Sequence, residues 1–164
     1  MRALAAGEDA AVRSVVRRAW YGAYAGIFSR GEMDAVFAGR IDQDAPWGTR
    51  RRWPLPTLVG EVDGYVVGMA SRALLSDGDG ELVGFYVLPE FQGRGVGRAL
   101  WDTTLDELRG HGCARMWVWA LERATQSVEW YRRHGCVEME SGEFSLGRHA
   151  EPSLGLALNL HDVE

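Results

Sequence analysis

Residues 82–100, LVGFYVLPEFQGRGVGRAL, constrain this chain more than any other stretch. The near-continuous apolar run Leu82 to Leu88 reads as a strand covered on both faces, because burial of one face alone would alternate apolar and polar residues. Pro89 interrupts it, and Gly93, Gly95 and Gly97 lead into a helical spacing of Val96, Leu100, Leu105 and Leu108 that stops at Gly110 and Gly112. A buried strand, a glycine loop and a helix in that order belong to an α/β core. Glycines let a backbone approach an anion closely, and the unpaired N–H groups of a helix N-terminus supply donors with a favourable dipole. The loop is therefore a candidate phosphate site, although a tight strand-to-helix turn would use the same glycines.

Its spacing excludes two common phosphate ligands. A dinucleotide fingerprint needs G-x-G-x-x-G/A, but counting from Gly93 puts Arg98 in the last place, and counting from Gly95 puts Leu100 there. A P-loop needs Gly-Lys-Ser/Thr, and all 18 basic residues of this chain are arginine. Nucleoside triphosphate hydrolysis is thus not expected.

The rest of the chain supports one domain over residues 1–164. From Glu8 to Ile27, Ala11, Val12, Val15, Val16 and Ala19 recur at helical spacing, and a second helical stretch runs near Glu32 to Ala38. Asp42 to Pro56 holds three prolines and no periodic pattern, so it reads as a loop. Thr57 to Val62 and Tyr65 to Ala70 flank Asp63-Gly64, a strong two-residue hairpin signal. Ser76 to Gly80 is a turn, Ala114 to Ala120 a second central strand, and Thr125 to His134 a helix ended by Gly135. Strands near Cys136 to Glu140 and Leu154 to Leu160 complete an α/β chain with a mixed sheet.

Composition removes several function classes. A net charge of −5 argues against a nucleic-acid binder, which would need basic residues to replace counterions along phosphates. No apolar run approaches the roughly 20 residues that span a bilayer. Met1 to Asp9 lacks the pattern of an export signal, and Cys113 and Cys136 have no CxxC spacing, so a cytoplasmic protein with free thiols is expected. His111, His134, His149 and His161 show no ligand spacing, and each is expected to be a surface or packing residue. Asp77, Asp79 and Glu81 imitate the start of a calcium loop, but Leu82 and Leu88 occupy its required Gly and Glu. No metal is implied.

Pro89-x-x-Gln92-x-x-Gly95-x-Gly97 resembles the acetyl-CoA signature Q/R-x-x-G-x-G/A of the GNAT N-acetyltransferases, placed as in that family after an apolar strand. Ser127-Val128-Glu129-Trp130-Tyr131 followed by Gly135 is similar to the family's second motif, and Trp20, Ala23-Tyr24 and Gly26-Ile27 are similar to its first-helix segment. The resemblance implies a single-domain α/β fold with a mixed, mostly antiparallel sheet, flanking helices and a splayed central strand pair, the strand ending near Val87 parting from the one ending near Ala120. It implies that Phe85, Tyr86 and Val87 present backbone groups to the pantetheine arm and thioester of acetyl-CoA. Gln92, Gly93, Arg94, Gly95, Val96, Gly97 and Arg98 would then form the pyrophosphate loop. Two positions depart from the family: Ala124 stands where Asn is usual, and Cys136 where Phe is usual.

The activity implied is transfer of acetyl from acetyl-CoA to a primary amine of a small molecule or peptide, by direct attack through a tetrahedral intermediate. Such a reaction needs a base for the ammonium, donors for the thioester oxygen and an acid for the departing thiolate. The resemblance assigns the acid to Tyr131; otherwise Tyr131 is a core residue at helical spacing with Val128. Glu81, which opens the central strand, is the candidate base, with a solvated surface charge as the alternative. Tyr24, Trp47 and Trp53 stand as acceptor-binding candidates because an aromatic cleft holds both an apolar body and a cationic amine, while Trp20 and Tyr24 also suit core packing. Arg50, Arg51 and Arg52 are by default a solvated run, with an acidic acceptor or a cofactor phosphate as alternative partners. A non-catalytic acetyl-CoA sensor, use of a longer acyl-CoA and a homodimer through an exposed edge strand remain open readings.

Overall fold

A computed structural model describes residues 1–44 and 52–161. In chain order the elements are β1 (Arg2–Ala3), α1 (Asp9–Ala23), α2 (Arg30–Phe37), β2 (Gln43–Asp44), β3 (Arg52–Val62), β4 (Tyr65–Leu75), β5 (Gly80–Val87), α3 (Val96–Gly110), β6 (Arg115–Leu121), α4 (Thr125–Arg133), β7 (Val137–Leu146) and β8 (His149–Asn159). They fall into two compact units.

The first unit holds Met1–Ala19, Arg50–Met116 and Asn159–Glu164. Its strands lie in the order β1-β3-β4-β5, with antiparallel pairing throughout. The β3–β4 hairpin closes on Asp63 and Gly64 as anticipated, and both adopt positive φ (51° and 82°), the requirement of a two-residue turn whose twist suits the strands. Helix α3 buries Val96, Leu100, Trp101, Leu105 and Leu108. Full burial of Leu100 and Leu108 contributes about 2 kcal/mol each. Two glycines set how closely α3 sits on the sheet. A Cβ on Gly60 would lie 2.7 Å from Val96 Cγ1, and one on Gly68 would lie 3.1 Å from Leu100 Cδ1.

The second unit holds Trp20–Thr49 and Trp117–Leu158, with strand order β6-β8-β7-β2. Its core includes Ile27, Met33, Val118, Val128, Leu146, Leu154 and Leu156. Trp20 packs edge-on against Tyr24, Phe37 and Phe144 at centroid distances of 5.2, 5.1 and 6.2 Å.

Three sequence expectations are corrected. The first helix ends at Ala23 rather than Ile27, because a turn with Gly26 at φ 77° follows. The stretch read as a loop to Pro56 becomes strand at Arg52. Its prolines are tolerated because β1 pairs with β3 only at Leu58 and Val59, and the β3–β4 register breaks between Leu55 and Leu58. Strands β7 and β8 extend through residues 141–146 and 149–153; over 141–146 β7 has exposed Ser141 and Glu143 and half-buried Gly142, Phe144 and Ser145, and two apolar residues, Phe144 and Leu146, are too few to announce a strand. Two-residue strands β1 and β2 are too short to leave a sequence signal.

Candidate active site

The glycine loop of the first unit is built by four local devices. Strand β5 carries a bulge at Val83, where Ser71 pairs with Gly84 but Arg72 pairs with Leu82. Beyond it, Phe85, Tyr86 and Val87 are only half-buried, although the strand begins with fully buried residues. Pro89–Phe91 forms a single 3-10 turn. Gln92 then folds back, its side-chain amide donating to the Val87 carbonyl at 3.1 Å. Gly93 and Gly95 take φ of 72° and 84°, a region other residues enter at a cost of about 1–2 kcal/mol.

Gly95 is the N-cap of α3, and the first N–H···O=C bond onto it comes from Ala99 at 3.0 Å. By helix geometry, the N–H groups of Val96, Gly97 and Arg98 have no carbonyl of the helix to bond. A Cβ built on Gly93 or Gly95 meets nothing within 4 Å, so open space lies beside the loop backbone. One on Gly97 would lie 3.7 Å from Val87 and 3.9 Å from Phe85, in ordinary contact, which joins the first turn of α3 to the end of β5. Phe85 is itself edge-on to Trp101 at 6.2 Å. Free donors, the positive end of a helix dipole and an open glycine backbone fit a diphosphate.

Charges around the loop are arranged by neighbours. Arg94 lies 5.4 Å over the Phe91 ring and pairs with no carboxylate among the described residues. Arg98 is turned along the helix, its Nε 2.9 Å from both oxygens of Asp102. The Glu90 carboxylate is held below the usual range, first by its own backbone N–H and then by Arg18 at 2.5 Å. That ion pair ties α1 to the 3-10 turn. Arg18 could not be assigned from sequence, since it lies 72 residues from Glu90, whereas Asp102 stands four residues after Arg98 on the same helix, the spacing at which opposite charges pair.

The other candidate residues fall as follows. Glu81 is buried (1% exposed) rather than solvated, and Arg52 Nε and Nη2 reach its two oxygens at 2.5 and 3.2 Å. Both carboxylate oxygens are thus held by a guanidinium, and Arg52 leaves the run of solvated arginines expected for it. Trp53 is 52% exposed on β3 in the same unit. Trp47, Arg50 and Arg51 lie outside the described residues. In the second unit Tyr131 is 7% exposed on α4, next to Trp130 at a ring distance of 5.5 Å. Tyr24 is half-buried between Trp20 and Phe28 and begins the α1–α2 turn, its carbonyl accepting from the Ile27 and Phe28 N–H groups. Ala124 is the N-cap of α4 and offers no side-chain acceptor to the first turn. Cys113 and Cys136 are both free and buried. Among the described residues, no group of three or more His, Cys, Asp or Glu is placed to hold a metal ion, and no helix is long and apolar enough to cross a membrane.

Residues 15–136 match the Acetyltransferase (GNAT) family, and the match includes the whole strand, loop and helix described above. The chain belongs to that family. The Uncharacterized N-acetyltransferase Rv2669 of Mycobacterium tuberculosis is 30% identical over 94 residues, which span 57% of this chain and 60% of that protein's length. Among solved structures, the PaiA N-acetyltransferase of Thermoplasma acidophilum, determined in complex with coenzyme A, is similar with a TM-score of 0.72 at 14% identity, over 96% of both chains. YncA of Salmonella typhimurium, determined with its cofactor acetyl-CoA, is similar with a TM-score of 0.66 at 19% identity, over 99% of this chain and 94% of that one. These likenesses establish the GNAT fold, an α/β arrangement with a mostly antiparallel sheet.

Proposed function

We propose that this chain acts as one acetyl-CoA-dependent N-acetyltransferase domain in the cytoplasm, passing acetyl to a primary amine of a small molecule or peptide. The observation that carries the reading is the α3 N-terminus, where the free N–H groups of Val96, Gly97 and Arg98 adjoin the open backbone of Gly93 and Gly95. Bound acetyl-CoA supplies an acyl group activated as a thioester. The chain's part is to bind the diphosphate at the loop, with Arg94 adding a cation, and to align the acyl arm along Phe85, Tyr86 and Val87. A backbone N–H at Val87 would take the charge that gathers on the acyl oxygen, a contribution that preorganised donors make without reorganisation. Tyr131, by family resemblance, would return a proton to the departing thiolate, since an ordinary phenol keeps its proton at neutral pH. With both Glu81 oxygens on Arg52, the acceptor ammonium is best deprotonated through water.

Calorimetric titration with acetyl-CoA, CoA and NADH tests this, using Gly95→Glu to place a carboxylate in the open space of the loop. Binding of the two CoA species but not NADH, lost in the variant, is expected, followed by release of CoA thiol in a panel of amines. Absence of CoA binding would overturn the reading. Binding without thiol release from any amine would instead indicate a sensor of acetyl-CoA, a role to which the missing side-chain oxygen at Ala124 lends some support.

A further inference from the structure

A histidine outside the acetyl-CoA loop sits between two carboxylates in the second unit. His149 Nδ1 lies 2.8 Å from Glu32 Oε1, and its Nε2 lies 2.9 Å from Glu151 Oε1. A carboxylate brings no proton to such a contact, and a neutral imidazole carries only one N–H, so both contacts are hydrogen bonds only when the ring holds two protons. The other Glu32 oxygen accepts the Ser29 N–H at 2.7 Å, and the Ser29 hydroxyl accepts the Glu32 N–H at 3.2 Å, a capping box that starts α2. On the far side Arg123 donates to Glu151 Oε1 and to the Gly26 carbonyl, both at 2.9 Å. The ring edge meets Phe28 at 4.7 Å. One imidazolium thus reaches the Tyr24–Ser29 turn from two directions, through Glu32 to its end and through Glu151 and Arg123 to its middle.

We propose that doubly protonated His149 is a positioning residue for the α1–α2 turn, holding Tyr24 and its neighbours for the acceptor amine, and that loss of one ring proton releases the turn. The acceptor half of this inference rests on the proposed acetyltransferase activity; the clasp itself does not.

The other charged groups nearby are accounted for. Asp34 takes the Tyr21 hydroxyl, Arg30 lies 4.4 Å over the Tyr21 ring, and the β7 residues paired with His149 and Glu151 are the uncharged Leu146 and Phe144. Arg148, in the β7–β8 turn, is exposed. The His149 pKa is raised, chiefly by Glu151 and then by Glu32, while the Glu32 carboxyl is held low, chiefly by the Ser29 backbone N–H, so the shared proton belongs to the ring. A raised folded-state value means the clasp contributes fully below the ordinary histidine range, near about 6.5, and is lost as pH climbs through the raised value.

The test is an NMR titration of the His149 ring, with amide exchange of residues 24–33 measured across the same pH range and normalised to the buried turns of α3. Normalised exchange in the turn should rise at least roughly tenfold as the ring loses its proton. His149→Gln should exchange fast at every pH. Glu151→Gln, which keeps the volume of the cluster, should move both the ring titration and the exchange step to lower pH together. Acceptor KM should rise through the same step with acetyl-CoA KM level. A ring that titrates at or below the ordinary value, turn exchange that ignores the titration, or an acceptor KM that stays flat through the step would each overturn the inference. An intact exchange step with no amine turnover would leave the clasp standing and sink the activity reading instead.

Discussion

The side-chain amide of Gln92 donates to the main-chain carbonyl of Val87 across 3.1 Å, so the loop that opens α3 is pinned to the strand that leads into it. Gln92→Ala removes that tie while leaving every glycine of the loop in place. A neutral hydrogen bond contributes about 1 kcal/mol, so acetyl-CoA should bind roughly fivefold more weakly by calorimetry, with melting temperature little changed. Unchanged affinity would mean the loop holds its shape without Gln92.

Gly60 and Val96 form a second such pair, on opposite sides of the contact between β3 and the first turn of α3. A Cβ at residue 60 would come 2.7 Å from Val96 Cγ1, and a buried β-branched side chain has little room to yield. Gly60→Ala should therefore cost about 1–3 kcal/mol in chemical denaturation and weaken acetyl-CoA binding by lifting the helix N-terminus. Adding Val96→Ala should restore part of the cofactor affinity. If the double variant binds no better than Gly60→Ala, the overlap is relieved elsewhere.

Glu81 and Arg52 make a buried ion pair whose removal is predicted to be asymmetric. Arg52→Met strands a carboxylate that is only 2% exposed and should destabilise the fold by about 3 kcal/mol. Arg52→Met combined with Glu81→Leu should recover much of that loss, because two apolar groups need no solvation. Additive losses in urea denaturation would show that the two side chains do not act as a pair.

Tyr131→Phe deletes one oxygen from a buried ring and leaves the packing of α4 in place. As a proton donor Tyr131 should support kcat, and its loss should lower kcat by roughly a hundredfold or more with acetyl-CoA KM unchanged. A variant with full kcat would remove Tyr131 from the chemistry and leave it a core residue.

Burial pushes the Cys136 thiol up to about 12 and also raises Cys113, by burial first and the nearby Asp79 charge second. Neither should form appreciable thiolate at neutral pH in the folded protein. Ellman's reagent should label neither cysteine in native buffer at pH 7.5 and both in guanidinium. Fast native labelling of Cys136 would show that β7 opens readily beside it.

The strand, glycine loop and helix of residues 82–110 were legible in the sequence because each follows from local chemistry: an apolar run, a proline stop, positive-φ glycines and helical spacing. The Asp63-Gly64 hairpin was legible for the same reason. Strand β7 was legible only at its start, near Cys136 to Glu140; its continuation to Leu146 carries few apolar residues and is held by pairing with β8. The start of β3 was hidden by Pro54 and Pro56, residues that argue against a strand unless one edge is known to be free.

Residues near one another in the chain thus carried the resemblance to the family and the shape of the glycine loop, because a backbone conformation and its free donors are properties of a dozen consecutive residues. Pairings at a distance were decided by the fold alone. Glu81 was a candidate base, with a solvated surface charge as the alternative, until Arg52, 29 residues away, was found on both its oxygens. His149 read as a surface or packing residue until Glu32, 117 residues away, was found beside it. An ionisable group takes its role from the charges and solvent within a few ångströms, and only the folded chain determines which those are.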